Sequence, residues 1–210
     1  MKWPARTTLS AFALVLAGLW GASQAMANSS ICDAISGNVV ANCGFESGDF
    51  TSWTLFGNTT NPGGNYFGVD AADANSGNFG AYLGTDPISG GPLGLGQLLT
   101  TKPGQSYLLS FWLQQDAPSS PGYDHVFVAA VNGVLWLGLT DPGQAGSWRK
   151  YSDSFVAVST STVMEFALIN DDSFWSLDDV SVTPTPDPGT FLLLGSGLAG
   201  LVGFLRRKVS

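Results

Sequence analysis

Turn-forming residues recur at short intervals along most of this chain, and they limit the elements between them to a few residues each. Clusters of Gly, Pro, Asn, Asp and Ser separate β-branched and aromatic runs, and the chain holds 27 glycines and 11 prolines in 210 residues. Such runs favour strands over helices. The middle of the chain shows no amphipathic helix. This pattern predicts an all-β fold in which about ten strands form a two-sheet jelly-roll sandwich.

The strand predictions follow from alternation and turn signals. Gly94 and Gly96 should interrupt their strand, Asn132-Gly133 predicts a type I′ hairpin, and Trp136, between two leucines, indicates a strand buried on both faces. The predicted strands cover residues 38–42, 50–56, 66–70, 79–83, 93–100, 105–115, two within 125–139, 147–158, 160–170 and 174–182. Within 105–115, alternation puts Tyr107, Leu109, Phe111 and Leu113 on one face and Trp112 on the other.

The first 27 residues have the layout of an export signal. Lys2 and Arg6 are basic, residues 9–20 are apolar, and Ala25 and Ala27 form an A-x-A cleavage site. We therefore expect residues 1–27 to be a signal peptide and the protein to be exported.

The C-terminal stretch also has the composition of a targeting segment. Prolines at 184, 186 and 188 predict an extended spacer. Residues 191–205 carry no charge and predict a short transmembrane helix of roughly 22 Å, less than the ~30 Å hydrocarbon core. Arg206, Arg207 and Lys208 should remain cytoplasmic. Residues 28–183 are then the folded domain and 184–210 the tail.

This tail resembles the PEP-CTERM sorting signal of Gram-negative bacteria, with Pro186-Asp187-Pro188 in place of Pro-Glu-Pro. The resemblance implies an exosortase-type membrane protease as a partner. It also implies transient anchoring in the bacterial inner membrane, followed by delivery to the cell surface or extracellular matrix.

Charge and cysteine content set further limits. Residues 28–183 contain three basic and fifteen acidic side chains, a net charge of −12, so nucleic acid is excluded as a partner. Cys32 and Cys43 are the only cysteines. After export they meet an oxidising compartment, so we expect a disulfide between them.

A second resemblance covers most of the domain. Residues 38–48 resemble the N-L-V-x-N-G-x-F-E-x-G start of galactose-binding-like jelly rolls, although Cys43 replaces a glycine. Residues 107–112 are similar to their Y-x-L-S-F-W strand, and 175–180 to their closing L-D-D-V. Carbohydrate-binding modules share this frame.

The resemblance implies one structural calcium ion, held by Glu46 and by the closing acids Asp178 and Asp179. Strand alternation puts these two aspartates on opposite faces, so only one of them should be a ligand. The alternative is that Glu46 caps a turn and that the aspartates are solvated.

Sugar binding and catalysis require different residue patterns in the sequence. Sugars stack on aromatic rings, and Trp112 and Tyr123 are the best candidates for an exposed platform, the other rings being core by default. No Gly-x-Ser-x-Gly, phosphate-loop or His-Glu-x-x-His motif occurs. His125 reads as a surface or edge residue. The region 70–77 lacks EF-hand spacing.

We therefore expect an exported, non-catalytic protein that binds or embeds in exopolysaccharide. The alternative is a structural surface protein that makes protein contacts without specific sugar binding. A glycoside-acting enzyme with paired carboxylates, for example at Asp171-Asp172, is a distant third hypothesis.

Overall fold

The computed structural model describes residues 29–59, 66–85, 91–143, 145–170 and 172–186. The predicted signal peptide with Ala25 and Ala27 lies outside these ranges, as do Asp187, Pro188, the apolar stretch 191–205 and the basic end 206–208. Within the ranges, no helix has the length and apolar character needed to cross a bilayer.

Ten strands and two short 3₁₀ helices make up the described fold. The 3₁₀ helices are Ile31–Ala34 and Ala71–Asp73. The strands are β1 (Thr54–Gly57), β2 (Phe67–Asp70), β3 (Gly80–Leu83), β4 (Leu93–Thr100), β5 (Ser106–Gln115), β6 (Val126–Val131), β7 (Val134–Thr140), β8 (Arg149–Val156), β9 (Ser161–Ile169) and β10 (Trp175–Pro184).

The strands form two antiparallel five-stranded sheets. The first sheet has the order β1-β4-β9-β6-β7, and the second has the order β2-β3-β10-β5-β8. This confirms the prediction of two packed antiparallel sheets. It also places β7 at one edge of the first sheet and β8 at one edge of the second.

The core lies between the sheets and is rich in aromatic rings. Phe111 on β5 meets Phe166 on β9 edge to face, with ring centroids 5.0 Å apart. Phe127 on β6 lies 5.8 Å from Phe166 and 5.6 Å from Trp175 on β10. All four side chains are buried. Burial of each phenylalanine contributes roughly 1.5–3 kcal/mol, so this cluster is a main source of the fold's stability.

Several local predictions are confirmed. In β5, Tyr107, Leu109, Phe111 and Leu113 are buried as alternation required. Asn132 and Gly133 have φ values of 49° and 73°, as a type I′ hairpin between β6 and β7 demands. Cys32 and Cys43 form a disulfide.

The opening segments depart from the prediction. Residues 38–42 do not form a strand, because Asn42 takes a φ of 48° and residues 41–44 make a turn. Residues 50–53 form a second turn, closed by the Trp53 N–H on the Phe50 carbonyl at 2.9 Å, so β1 is only four residues long. Gly94 does not break β4. A Cβ there would lie 2.0 Å from the Phe56 ring, so this glycine makes room for that side chain.

The prediction for Trp136 was wrong in one respect. Its strand β7 is an edge strand, and the neighbouring Leu135 is 65% exposed. The indole packs on Phe111 at 5.8 Å from one side. Two leucines beside a tryptophan therefore do not mark a strand buried on both faces here.

Candidate functional site

The outer face of the second sheet carries a band of partly exposed aromatic and polar side chains. Trp112 on β5 lies opposite Lys150 on the edge strand β8. Gln114, two residues along, pairs with Ser176 of β10, which pairs in turn with Tyr82 of β3. Because side chains two residues apart share a face, Trp112, Gln114, Lys150 and Tyr82 form one surface around the buried Ser176, and we call it the aromatic face.

A second tryptophan extends this surface. Trp148 immediately precedes β8 and is partly exposed. The chain still follows β5 at this point, since the Gly146 N–H donates to the Gln115 carbonyl at 2.7 Å. The alternation of β8, carried back from Lys150, puts Trp148 on the same side as Trp112. The aromatic face therefore holds two indoles near an amide and an ammonium group.

One buried hydroxyl beneath this surface, that of Ser176, lies between two carboxylates. The Ser176 Oγ is 2.7 Å from an oxygen of Asp73 and 2.8 Å from one of Asp116. A hydroxyl has one proton, so it donates to only one of them at a time. Burial raises the pKa of Asp73, and the charge of Asp116 adds to the effect.

Tyr82 remains neutral beside these acids. Burial raises the pKa of its phenol, and the charges of Asp70 and Asp73 raise it further. Its ring meets that of Phe174 edge to face at 5.5 Å. Tyr82 therefore presents an apolar ring and a hydroxyl that can donate a hydrogen bond, while the adjacent carboxylates accept hydrogen bonds from hydroxyl groups.

Asp178 and Asp179 lie next to this surface, and both are buried. The Asp178 carboxylate accepts hydrogen bonds from the Asn75 N–H at 2.8 Å and the Ser76 N–H at 3.0 Å. The Asp179 carboxylate accepts from the Asn75 side-chain amide and the Ser76 hydroxyl, both at 2.8 Å, and from the Ser30 hydroxyl. Both acids therefore hold the loop that contains residues 75 and 76.

The expectation that these two aspartates point to opposite faces was wrong. The register of β10 against β5 shifts between Asp178 and Ser181, and Asp179 adopts a φ of 53°. Such a bulge re-aims a side chain. Both carboxylates consequently approach the same loop, and neither is solvated.

Two adjacent buried carboxylates need a compensating charge. None of the described contacts of Asp178 or Asp179 comes from a Lys or Arg side chain. Burial and the neighbouring charge of Asp179 raise the pKa of Asp178 to about 8. Either a proton or a cation must balance this pair. Carboxylate oxygens are ligands that Ca²⁺ accepts, so Asp178 and Asp179 are the residues here that could hold such a cation.

Glu46, the third predicted ligand, contacts the same loop from another position. Its carboxylate accepts from the Asn78 N–H at 2.9 Å and the Phe79 N–H at 3.2 Å. In the described part of the chain, the only cluster of three ligand-type side chains is Cys32, Asp33 and Cys43, whose sulfurs are joined in the disulfide. The structure thus brings Asp178 and Asp179 together, with Glu46 farther along the loop.

Comparison with known proteins shows which fold the chain has, but it does not show a family. No family model matches the chain, and no curated protein matches it in sequence. It is similar in structure to TmCBM61 in complex with beta-1,4-galactotriose, with a TM-score of 0.53 and 16% identity over 71% of this chain and 100% of that one.

Two further structures have a similar fold. One is the CBM22-1-GH10 part of the xylanase Xyn10B of Clostridium thermocellum, complexed with xylohexaose (TM-score 0.51, 17% identity, 72% of this chain and 29% of that one). The other is the Stig cyclase Fisc of Fischerella sp. TAU (TM-score 0.52, 16% identity, 71% of this chain and 97% of that one). The likeness shows a jelly-roll fold shared by carbohydrate-binding modules and an enzyme.

The two predicted sugar-binding residues lie in different settings. Trp112 is partly exposed on the aromatic face, as its polar neighbours indicated. Tyr123 lies in the loop after β5 and is 42% exposed, and no strand register relates it to Trp112.

Sequence reasoning did not select Tyr82 and Trp148. The signal for Trp148 was its even spacing from Lys150, and only the strand order shows that β3 and β8 lie on either side of β10 and β5.

The prediction that His125 is a surface or edge residue was wrong, since it directly precedes β6, which lies between β9 and β7. It is buried, and both ring nitrogens have partners: Nδ1 accepts from the Gln115 amide at 2.7 Å and Nε2 donates to Asp172. Hydrogen bonds from Ser120 and His125 lower the pKa of Asp172 to about 2. With both nitrogens occupied, this imidazole holds the loop around residue 120 against the loop around residue 172, rather than activating a nucleophile.

Proposed function

We propose that this protein binds a neutral glycan on the aromatic face and that it does so without catalysis. The observation that carries the proposal is the partly exposed Trp112 ring on β5, which lies between Lys150 of β8 and Asp178 of β10. Indole rings stack on the C–H faces of sugars, and amide and ammonium groups orient the hydroxyls. Two of the structurally similar proteins were solved with oligosaccharides bound, which supports this ligand class.

The charges at the aromatic face restrict the class of glycan further. The domain carries few basic residues, and Asp73 and Asp116 lie at the aromatic face. Carboxylates repel acidic polysaccharides and accept hydrogen bonds from sugar hydroxyls. A neutral exopolysaccharide is therefore the ligand class that the surface favours.

Substitution of Trp112 should remove most of the affinity. Nucleic-acid bases stacked on aromatic side chains lose about 1–3 kcal/mol of binding free energy on alanine substitution. With the same range for a stacked sugar, Trp112→Ala should weaken binding by roughly 10- to 100-fold. Titration calorimetry against a glycan selected from an array measures this. Trp148→Ala should weaken binding as well.

The matched control is Phe56→Ala. Phe56 is also a partly exposed aromatic residue, but it lies on the outer strand of the first sheet. Affinity should be unchanged in this variant. Equal losses for Trp112→Ala and Phe56→Ala would contradict binding at the aromatic face, and a loss with Tyr123→Ala alone would move the site to the loop after β5.

We further propose that the protein is exported and sorted by an exosortase-type system, with transient anchoring in the bacterial inner membrane and delivery to the cell surface or matrix. The support is the order of features in residues 1–27 and 184–210. Replacement of Arg206, Arg207 and Lys208 by Gln should impair membrane retention and processing, which fractionation and immunoblotting would detect. The same substitution at Lys102, Arg149 and Lys150 is the control, and unchanged surface delivery of the tail variant would contradict the proposal.

Calcium is part of the proposal as a structural ion. Asp178 and Asp179 would hold it, with hydroxyl and amide oxygens of the surrounding loop as further ligands. Its role would be to neutralise the buried pair and fix the loop that contains residues 71–79 beside the aromatic face. Glycan binding would then depend on calcium only through the stability of this loop.

A further inference from the structure

An apolar groove opens between the edge strands of the two sheets, away from the aromatic face. It encloses about 330 Å³ between β7 and β8. The groove is lined mainly by Val134, Leu135, Trp136, Phe155, Val156 and Val158. Val134 is 70% and Val158 is 78% exposed. This surface contains no charged side chain, so exposing it to water is unfavourable.

Both strands that border the groove offer unused hydrogen-bonding groups. Among the described strands, β7 pairs only with β6, and β8 pairs only with β5. Their outer edges are therefore free to pair with an extended segment. In addition, the buried indole N–H of Trp136 has no hydrogen-bond partner. The groove therefore suits an apolar peptide in extended form, because such a segment offers both side chains and backbone carbonyls.

The chain itself leaves the fold close to this groove. The last strand, β10, ends at Pro184, and the Thr185 N–H donates to the Ser106 carbonyl at 2.9 Å. Ser106 is in turn paired with Val156 of the groove. β10 and β8 are both antiparallel to β5, so they run in the same direction and their C-terminal ends lie on the same side of the sheet. Two strand spacings, about 10 Å, separate them.

The sequence after Pro186 has the length and character to enter the groove. Residues 187–190 are Asp-Pro-Gly-Thr and residues 191–194 are Phe-Leu-Leu-Leu. Five residue steps reach about 17 Å in extended form, which exceeds the roughly 15 Å of three strand spacings from β10 to a segment paired with the outer edge of β8. Phe191 and the leucines after it can therefore reach Val156 and Val158 without disturbing the fold.

We propose that residues 191–194 dock in this groove of their own domain whenever no membrane is available. The docked segment pairs with the free edge of β8 and buries its apolar side chains against Val156, Val158 and Trp136. It thereby keeps the apolar tail out of water between folding of the domain and insertion of the tail. A bilayer removes the segment from the groove, because it takes up the whole apolar stretch 191–205. This docking of residues 191–194 does not depend on glycan binding.

A cysteine pair tests this docking in the full 210-residue chain. The two natural cysteines are joined to each other, so a new pair reports without ambiguity. The variant Val158→Cys with Leu193→Cys is made by cell-free synthesis under oxidising conditions without membranes, and the disulfide between positions 158 and 193 is measured by peptide mapping. We expect most of the chain to carry an intramolecular cross-link. Lipid vesicles present during synthesis should lower the cross-linked fraction several-fold.

The control pairs Leu193→Cys with Leu98→Cys. Leu98 is 68% exposed and apolar, but it lies on β4, three strands from β7. It should cross-link several-fold less than Val158. Equal cross-linking at both positions, or none at either, overturns the proposal. Cross-linked dimers overturn it too, because the occupant is then a second copy. If Val158→Cys fails to fold, Leu135→Cys replaces it with the same expected outcomes.

Discussion

In a solution that contains a chelator, the protein should lose stability steadily as the pH rises from 5 to 8. The pKa of Asp178 is raised to about 8 in the folded chain, whereas an aspartate in the unfolded chain titrates near 3.8. Between these values the folded state keeps a proton that the unfolded state has released. Stability is therefore fully present below pH 4 and falls by up to about 1.4 kcal/mol for each pH unit above it. Urea unfolding at pH 5, 6, 7 and 8 measures this.

Calcium should abolish most of this dependence. A divalent cation between Asp178 and Asp179 replaces the proton as the balancing charge, so added CaCl₂ should raise the unfolding midpoint strongly at pH 8 and little at pH 5. Mg²⁺ at the same concentration should have less effect, since it requires a stricter octahedral geometry. Stability in chelator that is constant from pH 5 to 8 would contradict the assignment of a charge-strained pair. Indifference to calcium at pH 8 would contradict the cation site.

The variant Asp178→Asn isolates the responsible group. It should cost about 1–3 kcal/mol at pH 5, because an amide NH₂ then faces backbone N–H groups that the carboxylate accepted. Its stability should not fall further up to pH 8. Asp153→Asn, an exposed position on β8, is the matched control and should keep the pH dependence of the natural protein.

Removal of the Cys32–Cys43 disulfide should also destabilise the fold strongly. Opening a loop of sequence separation 11 costs about 3 kcal/mol in the chain-entropy model. A second loss follows, because the Ser30 hydroxyl and the Cys32 N–H both donate to Asp179. We therefore expect the double variant Cys32→Ala and Cys43→Ala to unfold at a clearly lower urea concentration and to respond less to calcium.

Reduction provides the control for packing effects. The natural protein with its disulfide reduced has the same sequence but lacks the cross-link, so its midpoint should fall close to that of the double alanine variant. A midpoint that reduction leaves unchanged would show that the 3₁₀ helix Ile31–Ala34 is held without the disulfide. A fall in the variant alone would indicate lost packing of the buried sulfurs.

The sequence was informative wherever one physical rule acted alone. Alternation along 105–115 predicted which side chains of β5 are buried, and Asn132-Gly133 predicted the hairpin, because in each case the local chain determines the geometry. The disulfide followed from there being only two cysteines. The partial exposure of Trp112 also followed from local alternation, which holds in a regular strand, and its role in sugar binding stays a prediction.

The features that the sequence did not predict depend on contacts between segments that are distant in the chain. The bulge in β10 turns Asp178 and Asp179 to one loop, and no period of two can indicate this. The turn at Asn42 exists because its side-chain amide donates to the carbonyls of Asp49 and Thr51, at 3.1 and 3.0 Å. His125 is buried because Asp172, 47 positions away, accepts from it. Such long-range partners override local preference for strand or surface.

The most direct test of the central claim is a glycan array probed with the folded chain, with calcium and with chelator, beside Trp112→Ala. The account predicts signals from neutral glycans for the natural protein and their loss in the variant. It predicts weak signals from acidic glycans for both. A folded natural protein that binds no neutral glycan in either condition would contradict the claim and leave a structural surface protein as the better account.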